Sequence, residues 1–229
     1  MEAKQQVDVL IIGAGPSGAD AAALIQKAGF KVCVVEKEKF PRFIIGESLL
    51  PRSIDLLEEA GLLDAVHQQQ YIVKRGAVFL RGSDACAFKF AEQFTSGRDY
   101  AYQVPRDHFD HTLARAIEEM GVDILWEHKV EDVQFTDSGP MITISNKDAE
   151  KSVIASRFVL DASGYGRVLP KILDLELPSD LPLRESVFTH VTGDKRPQGE
   201  DEGVIWICML PDNAWLWIIP FSNGKTSVG

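Results

Sequence analysis

The sequence has few cysteines, and it has neither an excess of basic residues nor a long hydrophobic run. Its 229 residues include only Cys33, Cys86 and Cys208, which are far apart and have apolar neighbours. Three scattered cysteines exclude a disulfide-rich scaffold, and they lack the close spacing of a metal site. We therefore expect reduced thiols inside a hydrophobic core, and we predict a cytoplasmic protein.

The charge balance and the hydropathy exclude two further classes of partner. The 24 Lys and Arg residues are outnumbered by 34 Asp and Glu residues, which gives a formal net charge of −10. A surface that binds nucleic acid needs a basic stripe to neutralise phosphates, and the sequence has none. No apolar run approaches the roughly twenty residues that span a bilayer. We predict no nucleic acid partner, no membrane span and, because a strand begins almost at once, no signal peptide.

The sequence does contain a glycine-rich turn between two apolar runs. Residues 7–12 form the first run, Gly13-Ala14-Gly15-Pro16-Ser17-Gly18 follows, and an Ala-rich segment with a helical pattern extends to Lys27. The second run, residues 31–36, ends at Glu36. This order predicts a strand, a helix and a second strand of the kind that binds a dinucleotide.

The glycines and the acid of this segment have separate physical roles. Gly13 permits a tight turn, Gly15 lets the backbone approach a pyrophosphate, and Gly18 lets the helix pack closely on the strand. A carboxylate at Glu36 would accept hydrogen bonds from a ribose and repel a 2′-phosphate, so FAD or NAD is favoured over NADP. The alternative is a glycine turn in an ordinary α/β protein. The candidate cofactor-binding residues here are Gly13, Gly15, Pro16, Ser17, Gly18, Glu36 and Lys37.

The remainder of the chain changes from mixed helices and strands to almost all strands. We predict helices over residues 51–60, 62–69 and 105–120, and strands over 73–80, 86–90, 100–104, 122–126, 129–135, 141–145, 152–160, 187–192, 204–210 and 214–221. Residues 171–182 are irregular and Pro-rich, as expected for a crossing between domains. The predicted fold is α/β, with a Rossmann-like nucleotide-binding domain built on a parallel sheet (residues 1–74 and 98–172). It is interleaved with a mostly antiparallel β-sheet substrate domain (residues 75–97 and 173–229).

Two further positions indicate an anionic ligand. Arg106 lies in the first turn of a predicted helix, where a cation opposes the helix dipole by roughly 0.3–1 kcal/mol unless an anion is nearby. Asp161-Ala162-Ser163-Gly164 follows a predicted buried strand, and ligands of open α/β sheets bind at the carboxyl ends of strands. The alternatives are a solvated Arg106 balanced by Asp107, and a plain turn in which Asp161 caps a short helix.

Together these residues resemble the FAD-dependent oxidoreductases of the hydroxybenzoate hydroxylase fold. The resemblance rests on residues 13–18 with Glu36, on Gly46-Glu47-Ser48-Leu49-Leu50-Pro51, on Arg106 before Phe109-Asp110, and on residues 161–164. Within that group the chain is most similar to the flavin-dependent halogenases and their geranylgeranyl-reductase-like relatives. The resemblance implies FAD as the cofactor. It also implies that Glu36 binds the ribose, Arg106 the pyrophosphate region, Val130 the adenine through its backbone, Asp161 and Gly164 the ribityl-pyrophosphate, and Gly46, Glu47, Ser48 and Leu49 the flavin ring.

One motif of the halogenase branch supplies a catalytic candidate. Tyr71-Ile72-Val73-Lys74-Arg75-Gly76 resembles the FxxKxG pattern, whose lysine handles hypohalous acid or carries the halogen as a chloramine. The resemblance therefore implies that Lys74 is catalytic. An amine that accepts an electrophilic halogen must be unprotonated part of the time, so Lys74 would need a pKa lowered by desolvation. The alternative is a surface lysine at the start of a strand.

A second motif of the same branch lies near the end of the sequence. Trp215-Leu216-Trp217-Ile218-Ile219-Pro220 resembles the WxWxIP motif, and strand alternation places Trp215, Trp217 and Ile219 on one face. These three residues would form a wall between flavin and substrate, or they are ordinary sheet core. Tyr71 and Ala214 stand where tryptophan halogenases have phenylalanine and glycine. A phenolic or carrier-bound substrate is therefore as consistent with the motif as tryptophan.

Two other features concern the flavin site and metal binding. The second flavin motif of the family, a Gly-Asp-Ala run followed by a proline, does not occur in the 229 residues. We expect either that the native chain continues beyond Gly229 or that the flavin site is incomplete. His108 and His111 are three residues apart, which suits a metal, but without a second ligand cluster we predict no metal and expect them to face solvent.

Three hypotheses of function follow from these motifs. The first is a halogenase-like oxidoreductase that uses reduced FAD, oxygen and halide on an electron-rich small-molecule or carrier-bound substrate. Because no second nucleotide-binding glycine motif is present, a separate flavin reductase would supply the reduced FAD. The second is a non-halogenating flavin monooxygenase or an FAD-dependent dehydrogenase or reductase. The third is a non-catalytic module of flavin fold that binds a partner or a lipid.

Overall fold

The computed structural model describes residue 3 and residues 5–229, and in this range the chain forms two compact units. The first unit contains the described residues up to Phe43 together with Glu59–Ala65 and Asp107–Asp180. The second unit contains Ile44–Glu58, Val66–Arg106 and Leu181–Gly229. Each unit is therefore assembled from three separate stretches of sequence.

The helices and strands of the described residues are numbered in chain order. The strands are β1 (Gln5–Ile12), β2 (Val32–Glu36), β3 (Ile72–Lys74), β4 (Gly76–Arg81), β5 (Asp84–Lys89), β6 (Ala101–Gln103), β7 (Asp123–Trp126), β8 (His128–Thr136), β9 (Gly139–Asn146), β10 (Lys151–Asp161), β11 (Thr189–Thr192), β12 (Ile205–Met209), β13 (Trp215–Pro220) and β14 (Lys225–Val228). The α-helices are α1 (Pro16–Lys27), α2 (Pro51–Ala60), α3 (Leu63–His67), α4 (Arg106–Glu119) and α5 (Val168–Ile172).

The first unit is built on a six-stranded sheet in the order β7-β2-β1-β10-β9-β8. β1 is parallel to both β2 and β10, β2 is parallel to β7, and β9 is antiparallel to β10 and β8. All five residues of β2 are buried, as expected for a parallel strand that is covered on both faces. Ala19, Ala22 and Ala23 of α1 are fully buried, since small side chains allow a helix to pack closely.

The second unit contains a second six-stranded sheet, in the order β11-β14-β13-β12-β4-β5. Its neighbours are antiparallel except for the parallel pair β12 and β4. The predicted combination of a Rossmann-like parallel sheet and a mostly antiparallel sheet is confirmed.

A small ladder in the second unit carries several polar residues. β3 and β6 are antiparallel, with Ile72 opposite Gln103 and Lys74 opposite Ala101. Residues 47–49 run along the other edge of β6. There Val104 N–H donates to Glu47 O over 2.8 Å and Leu49 N–H donates to Tyr102 O over 3.0 Å, and Ser48 lies opposite Gln103.

Three details of the predicted organisation differ from the structure. The predicted strand 73–80 is divided at Arg75 into β3 and β4, which belong to different sheets. The segment predicted to be irregular from residue 171 begins inside α5. Residues 44–58, 66–74 and 98–106, which the predicted domain limits place with the nucleotide-binding domain, fold into the second unit. The assignment of cofactor and substrate roles to the two domains stays a prediction.

The expectation of core thiols is correct for Cys33 and wrong for Cys86. Cys33 is buried, Cys208 is half-buried and Cys86 is exposed, and all three are free thiols. Cys86 lies on β5, an edge strand whose six residues are all exposed. Apolar neighbours in sequence therefore did not indicate burial there. Among the described residues, no helix is long and apolar enough to cross a membrane.

Candidate cofactor site and buried lysine

The glycine turn of the first unit has no room for side chains at two of its positions. Gly13 has φ of +100°, and a Cβ atom there would lie 2.8 Å from the carbonyl oxygen of Ala162. A Cβ atom on Gly18 would overlap the carbonyl oxygen of Gly13. A Cβ atom on Gly15 would meet only an Arg42 nitrogen at 3.7 Å, an ordinary contact. The fold itself thus requires Gly13 and Gly18, whereas Gly15 leaves its backbone open to a ligand.

Glu36 ties the end of β2 to this turn. Its carboxylate is 4% exposed and accepts hydrogen bonds from Ala14 N–H over 2.8 Å and from Glu38 N–H over 2.9 Å. An ionised carboxylate has about four acceptor positions, so hydrogen bonding to ribose hydroxyls remains available to Glu36. Lys37 is exposed beside it and pairs with Glu38 at 3.9 Å. The predicted roles of both residues stay predictions.

The structure brings the ends of β1 and β10 together. Ile12 is aligned with Asp161, and Ala162 N–H donates to Ile12 O over 2.9 Å. The Asp161 carboxylate accepts hydrogen bonds from Ser163 N–H over 2.9 Å and Leu169 N–H over 2.8 Å. Asp161 thus organises the turn that begins α5 and remains exposed. Gly164, with φ of +56°, begins a short 3-10 turn and is also exposed.

The α1 N-terminus faces the same turn. Gly15 is its N-cap residue and makes no side-chain cap, Pro16 occupies the first helical position, and Ser17 is exposed. The free N–H groups of a helix start favour an anion. Val130, predicted to bind adenine through its backbone, lies on the outer strand β8 with its side chain in the hydrophobic core.

In the second unit, Arg106 contacts the backbone at Gly46. Its Nη1 donates to Ile45 O and to Gly46 O, both over 3.2 Å. Gly46 has φ of +110°, and a Cβ atom there would be 2.9 Å from Arg106 Nη1. The arginine therefore holds this loop by direct contact, and its predicted pyrophosphate contact stays a prediction.

A carboxylate–imidazole pair lies next to Gly46. Glu47 is 2% exposed, and its Oε1 is 2.7 Å from Nε2 of His190 on β11. Its Oε2 has no hydrogen-bond partner within the part of the chain that the structure describes. Sequence reasoning missed His190, because it is 143 residues from Glu47 in the chain and no local motif marks it.

Lys74 is a buried residue, so the alternative of a surface lysine is wrong. It is 4% exposed, its Nζ donates to Leu49 O over 2.9 Å, and it lies 5.3 Å from the centre of the Phe90 ring. Among the described residues, no carboxylate pairs with it. Burial lowers the pKa of the Lys74 amine to about 8, because a low-dielectric environment disfavours the charged form.

The three residues of the predicted wall differ in their exposure. Trp215 is 47% exposed and lies 5.2 Å from the Arg184 guanidinium. Trp217 is half-buried and donates from Nε1 to Ser227 Oγ over 3.2 Å, and Ile219 is buried. Ordinary sheet core therefore describes Ile219 but not Trp215, and a substrate role for the wall stays a prediction.

The predicted metal alternative has no support in the described residues. His108 is exposed and His111 is half-buried on α4. No group of three or more His, Cys, Asp or Glu residues in the described part of the chain could hold a metal ion.

A glycine turn at a helix start, which has no room for side chains at Gly13 and Gly18 and is tied to a buried carboxylate, is typical of a dinucleotide-binding protein. Within the first unit, the open backbone at Gly15 leaves room for the pyrophosphate of a flavin dinucleotide. The chain belongs to the FAD binding domain family, which matches residues 6–227. The prediction of FAD as the cofactor is thereby confirmed.

Known proteins that resemble the chain include halogenases. It is 29% identical to tryptophan 2-halogenase of Chondromyces crocatus over 100% of this chain and 44% of that protein. It is 31% identical to 1H-pyrrole-2-carbonyl-[peptidyl-carrier protein] chlorinase of Pseudomonas fluorescens, over 97% of this chain and 55% of that protein. These matches confirm the resemblance to flavin-dependent halogenases, and the chain spans about half the length of these relatives.

A solved structure provides a further comparison. A flavoprotein/dehydrogenase from Cytophaga hutchinsonii is 48% identical, with a TM-score of 0.93 over 98% of this chain and 55% of that chain. The fold described above is therefore shared with part of a known flavoprotein.

Proposed function

We propose that the protein is a halogenase-like FAD-dependent oxidoreductase that acts on an electron-rich substrate. The observation that carries this proposal is the burial of Lys74, whose amine has a pKa of about 8 and no carboxylate partner in the described residues. An amine with an ordinary pKa of 10.5 is unprotonated in roughly one molecule in three thousand at neutral pH, whereas a pKa of about 8 makes that fraction roughly one in ten.

The contacts of Lys74 also suit the transfer of an electrophile. Burial excludes water, which would otherwise hydrolyse a reactive halogen species. The hydrogen bond to Leu49 O fixes the position of Nζ, and the Phe90 ring covers the lysine. A carboxylate partner would hold the amine in its charged form, so its absence among the described residues favours a nucleophilic role.

The residues of the first unit would hold the dinucleotide. The α1 start and the Gly15 backbone would contact the pyrophosphate, and Glu36 would accept hydrogen bonds from the ribose. Bound reduced FAD would supply the electrons for the activation of oxygen, and the activated oxygen would oxidise halide to hypohalous acid. Lys74 would then accept the halogen and pass it to the substrate.

The partners and the location are part of the same proposal. The name of the pyrrole chlorinase describes a substrate bound to a peptidyl-carrier protein. This name supports a carrier-bound substrate for the present protein, in addition to a free small molecule. A separate flavin reductase is proposed because the sequence has a single nucleotide-binding glycine motif. The three free thiols support a reducing location such as the cytoplasm.

The test supplies the intact protein with chemically reduced FAD, oxygen, chloride or bromide, and a panel of pyrroles, phenols and indoles. We expect a halogenated product that requires halide, and we expect Lys74→Ala to lower its yield at least about a hundredfold, a typical effect of removing a nucleophile. Binding of FAD should stay unchanged. Lys89→Ala, at an exposed lysine on β5, is the matched control. A product that forms equally well without Lys74 would contradict the proposal.

A second candidate function is supported by the 48% identity to the Cytophaga flavoprotein/dehydrogenase. Under this alternative the protein is a dehydrogenase, a reductase or a non-halogenating monooxygenase. Product formation would then be indifferent to chloride and bromide. Hydrogen or oxygen transfer without halide in the same experiment would select this alternative.

A further inference from the structure

A cavity of about 310 Å³ lies within the second unit, on its six-stranded sheet. Its lining residues come from β4, β5 and β12, from residues 91 and 99, and from the segment 197–201. The volume is at the lower end of the range of small-molecule sites, roughly 300–1,000 Å³. Of the residues that the structure describes, those that line it do not include Lys74 or Glu47. The cavity is therefore separate from the site discussed above.

The cavity lies on one face of the sheet. Trp206 on β12 is directly opposite Val78 on β4, and Val78 is directly opposite Ala87 on β5. Directly opposed residues point to the same face, so these three side chains share it. Val204 and Trp206 line the cavity, whereas Ile205 between them does not. This alternation along β12 is expected when a cavity lies on a single face.

The three residues of the predicted wall project from the other face. Trp217 is directly opposite Ile207, which is the residue after Trp206. Because neighbouring residues of a strand point to opposite faces, Trp217 and Trp206 lie on opposite sides of the sheet. A molecule in the cavity would therefore not touch the predicted wall, and the cavity is a second candidate site.

Trp206 offers an aromatic surface and one hydrogen-bond donor to this cavity. It is half-buried, and its indole N–H can donate but cannot accept. None of the hydrogen bonds found within the described part of the chain uses this N–H. The neighbouring side chains of Val78 and Ala87 are apolar. An aromatic ring with one acceptor atom complements such a surface.

The charges around the cavity disfavour a charged ligand. Arg75 and Asp99 form an ion pair with each other over 3.4 Å. Lys89, Glu200 and Asp201 also line the cavity but are exposed, so water and salt screen them. An anion would meet the two carboxylates and a cation would meet the lysine. An uncharged molecule avoids both repulsions.

The segment that joins two lining residues carries an exposed aromatic side chain. Ala91 and Asp99 both line the cavity, and Phe94 between them is fully exposed. Gln93 Nε2 donates to Gly97 O over 2.9 Å, which closes this segment into a turn. Removal of the Phe94 ring from water would be favourable. This ring is therefore suited to cover a ligand that occupies the cavity.

We propose that the cavity binds a small uncharged aromatic molecule that carries a hydrogen-bond acceptor such as a carbonyl oxygen. The Trp206 N–H donates to the acceptor, Val78 and Ala87 contact the ring, and Phe94 closes over it. The inference is independent of the proposed halogenase function, because it involves neither Lys74 nor the glycine turn.

The test uses two probes of nearly the same shape, acetophenone and α-methylstyrene. The first has a carbonyl oxygen where the second has a methylene group. Each probe is titrated into the intact ¹⁵N-labelled protein, and NMR follows the indole N–H signals of its four tryptophans. We expect acetophenone to shift the signal that is missing from Trp206→Phe. It should bind about tenfold more tightly than α-methylstyrene, equivalent to about 1.4 kcal/mol, the scale of one net hydrogen bond.

Two variants and a matched control test the position of the ligand. Ala87→Phe fills the cavity and should weaken the binding of acetophenone at least about tenfold, and it should fold because Ala87 is exposed on an edge strand. Ala85→Phe makes the same change two residues away on the same face, outside the lining, and should leave binding unchanged. Phe94→Ala should weaken binding about threefold, the effect of one aromatic contact.

Several results would overturn the proposal. A shift of the Trp215 or Trp217 signal without a shift of Trp206 would place the probe on the other face. Unweakened binding by Ala87→Phe would also exclude the cavity. If Trp206 responds neither to acetophenone nor to a soluble nitroxide, polypeptide covers the cavity and the proposal is wrong. Equal affinity for the two probes would refute the hydrogen bond, and unchanged affinity in Phe94→Ala would refute the closure.

The two proposals fail separately. Binding of acetophenone beside Trp206 would support the cavity as a ligand site even if the flavin assay shows no halide dependence, an outcome that would refute the halogenase function. Halide-dependent product together with an unresponsive Trp206 signal would refute the cavity site and leave the halogenase function intact.

Discussion

Burial shifts the protonation of Asp20 as well as that of Lys74, and each shift has a cost that can be measured. Asp20 lies on α1, and its Oδ1 is buried and unpaired in the described part of the chain. Burial, with a smaller contribution from the Glu59 charge, raises the pKa of Asp20 from 3.8 to about 6. Both residues therefore act against the stability of the fold in their charged forms.

For Asp20 the sign of the pH dependence follows from the raised pKa. The folded state holds the proton more tightly, so the stabilisation is complete below about pH 4 and is lost as the pH rises to about 6. Asp20→Asn removes the charge, and we expect it to increase the free energy of unfolding near pH 7 by about 1–2 kcal/mol. Urea unfolding at a series of pH values measures this, with Asp84→Asn on the exposed β5 as control. A less stable Asp20→Asn variant near neutral pH would contradict the prediction.

For Lys74 the stability of the fold changes with pH in the opposite direction, rising as the pH rises. Its folded pKa of about 8 is below the ordinary 10.5, so the penalty is complete below about pH 8 and disappears as the pH rises to about 10.5. Lys74→Met should remove a penalty of about 3 kcal/mol but leave Leu49 O unpaired at a cost of about 1–2 kcal/mol. We expect a net gain of about 1–2 kcal/mol near pH 7. Chemical unfolding at a series of pH values measures this gain. If the free energy of unfolding of Lys74→Met depends on pH between about 8 and 10.5 in the same way as that of the unmodified sequence, Lys74 is exposed in solution.

Local sequence patterns predicted the elements of the glycine turn, because each needs only neighbouring residues. The strand β1, the helix α1 and the strand β2 follow from apolar runs, a glycine spacing and a final acid within about thirty residues. The division of the predicted strand 73–80 could not be predicted from local sequence. It depends on the pairing of β4 with β12, which lies more than a hundred residues later in the chain. The Glu47–His190 contact and the position of Gln103 opposite Ser48 are of the same kind, since both join segments that no local pattern relates.

The element around the glycine turn provides a pair of substitutions with different expected effects. Gly18→Ala should destabilise the fold by about 2 kcal/mol or more, since its Cβ atom would overlap backbone. Gly15→Ala should leave the stability almost unchanged, because its Cβ atom would meet only the Arg42 side chain at 3.7 Å. It should nevertheless weaken FAD binding at least about tenfold, since a methyl group blocks the approach of the pyrophosphate. Thermal unfolding and FAD titration separate the two effects. Unweakened FAD binding by Gly15→Ala would place the pyrophosphate elsewhere.

At the scale of the whole molecule, a ligand that binds only the folded state raises its stability by mass action. FAD at a hundred times its Kd should add about 2.7 kcal/mol, which for a chain of 229 residues corresponds to a rise in Tm of roughly 5–10 °C. In the proposed site, the glycine turn and Glu36 would recognise the adenylate half, which FMN lacks, and the Glu36 carboxylate would repel the 2′-phosphate of NADP. We therefore expect little shift of Tm with FMN or NADP at the same concentration. Differential scanning fluorimetry of the intact protein measures all three ligands. An equal shift with FMN would show that the flavin ring alone accounts for binding, and the assignment of the first unit as the dinucleotide site would then be wrong.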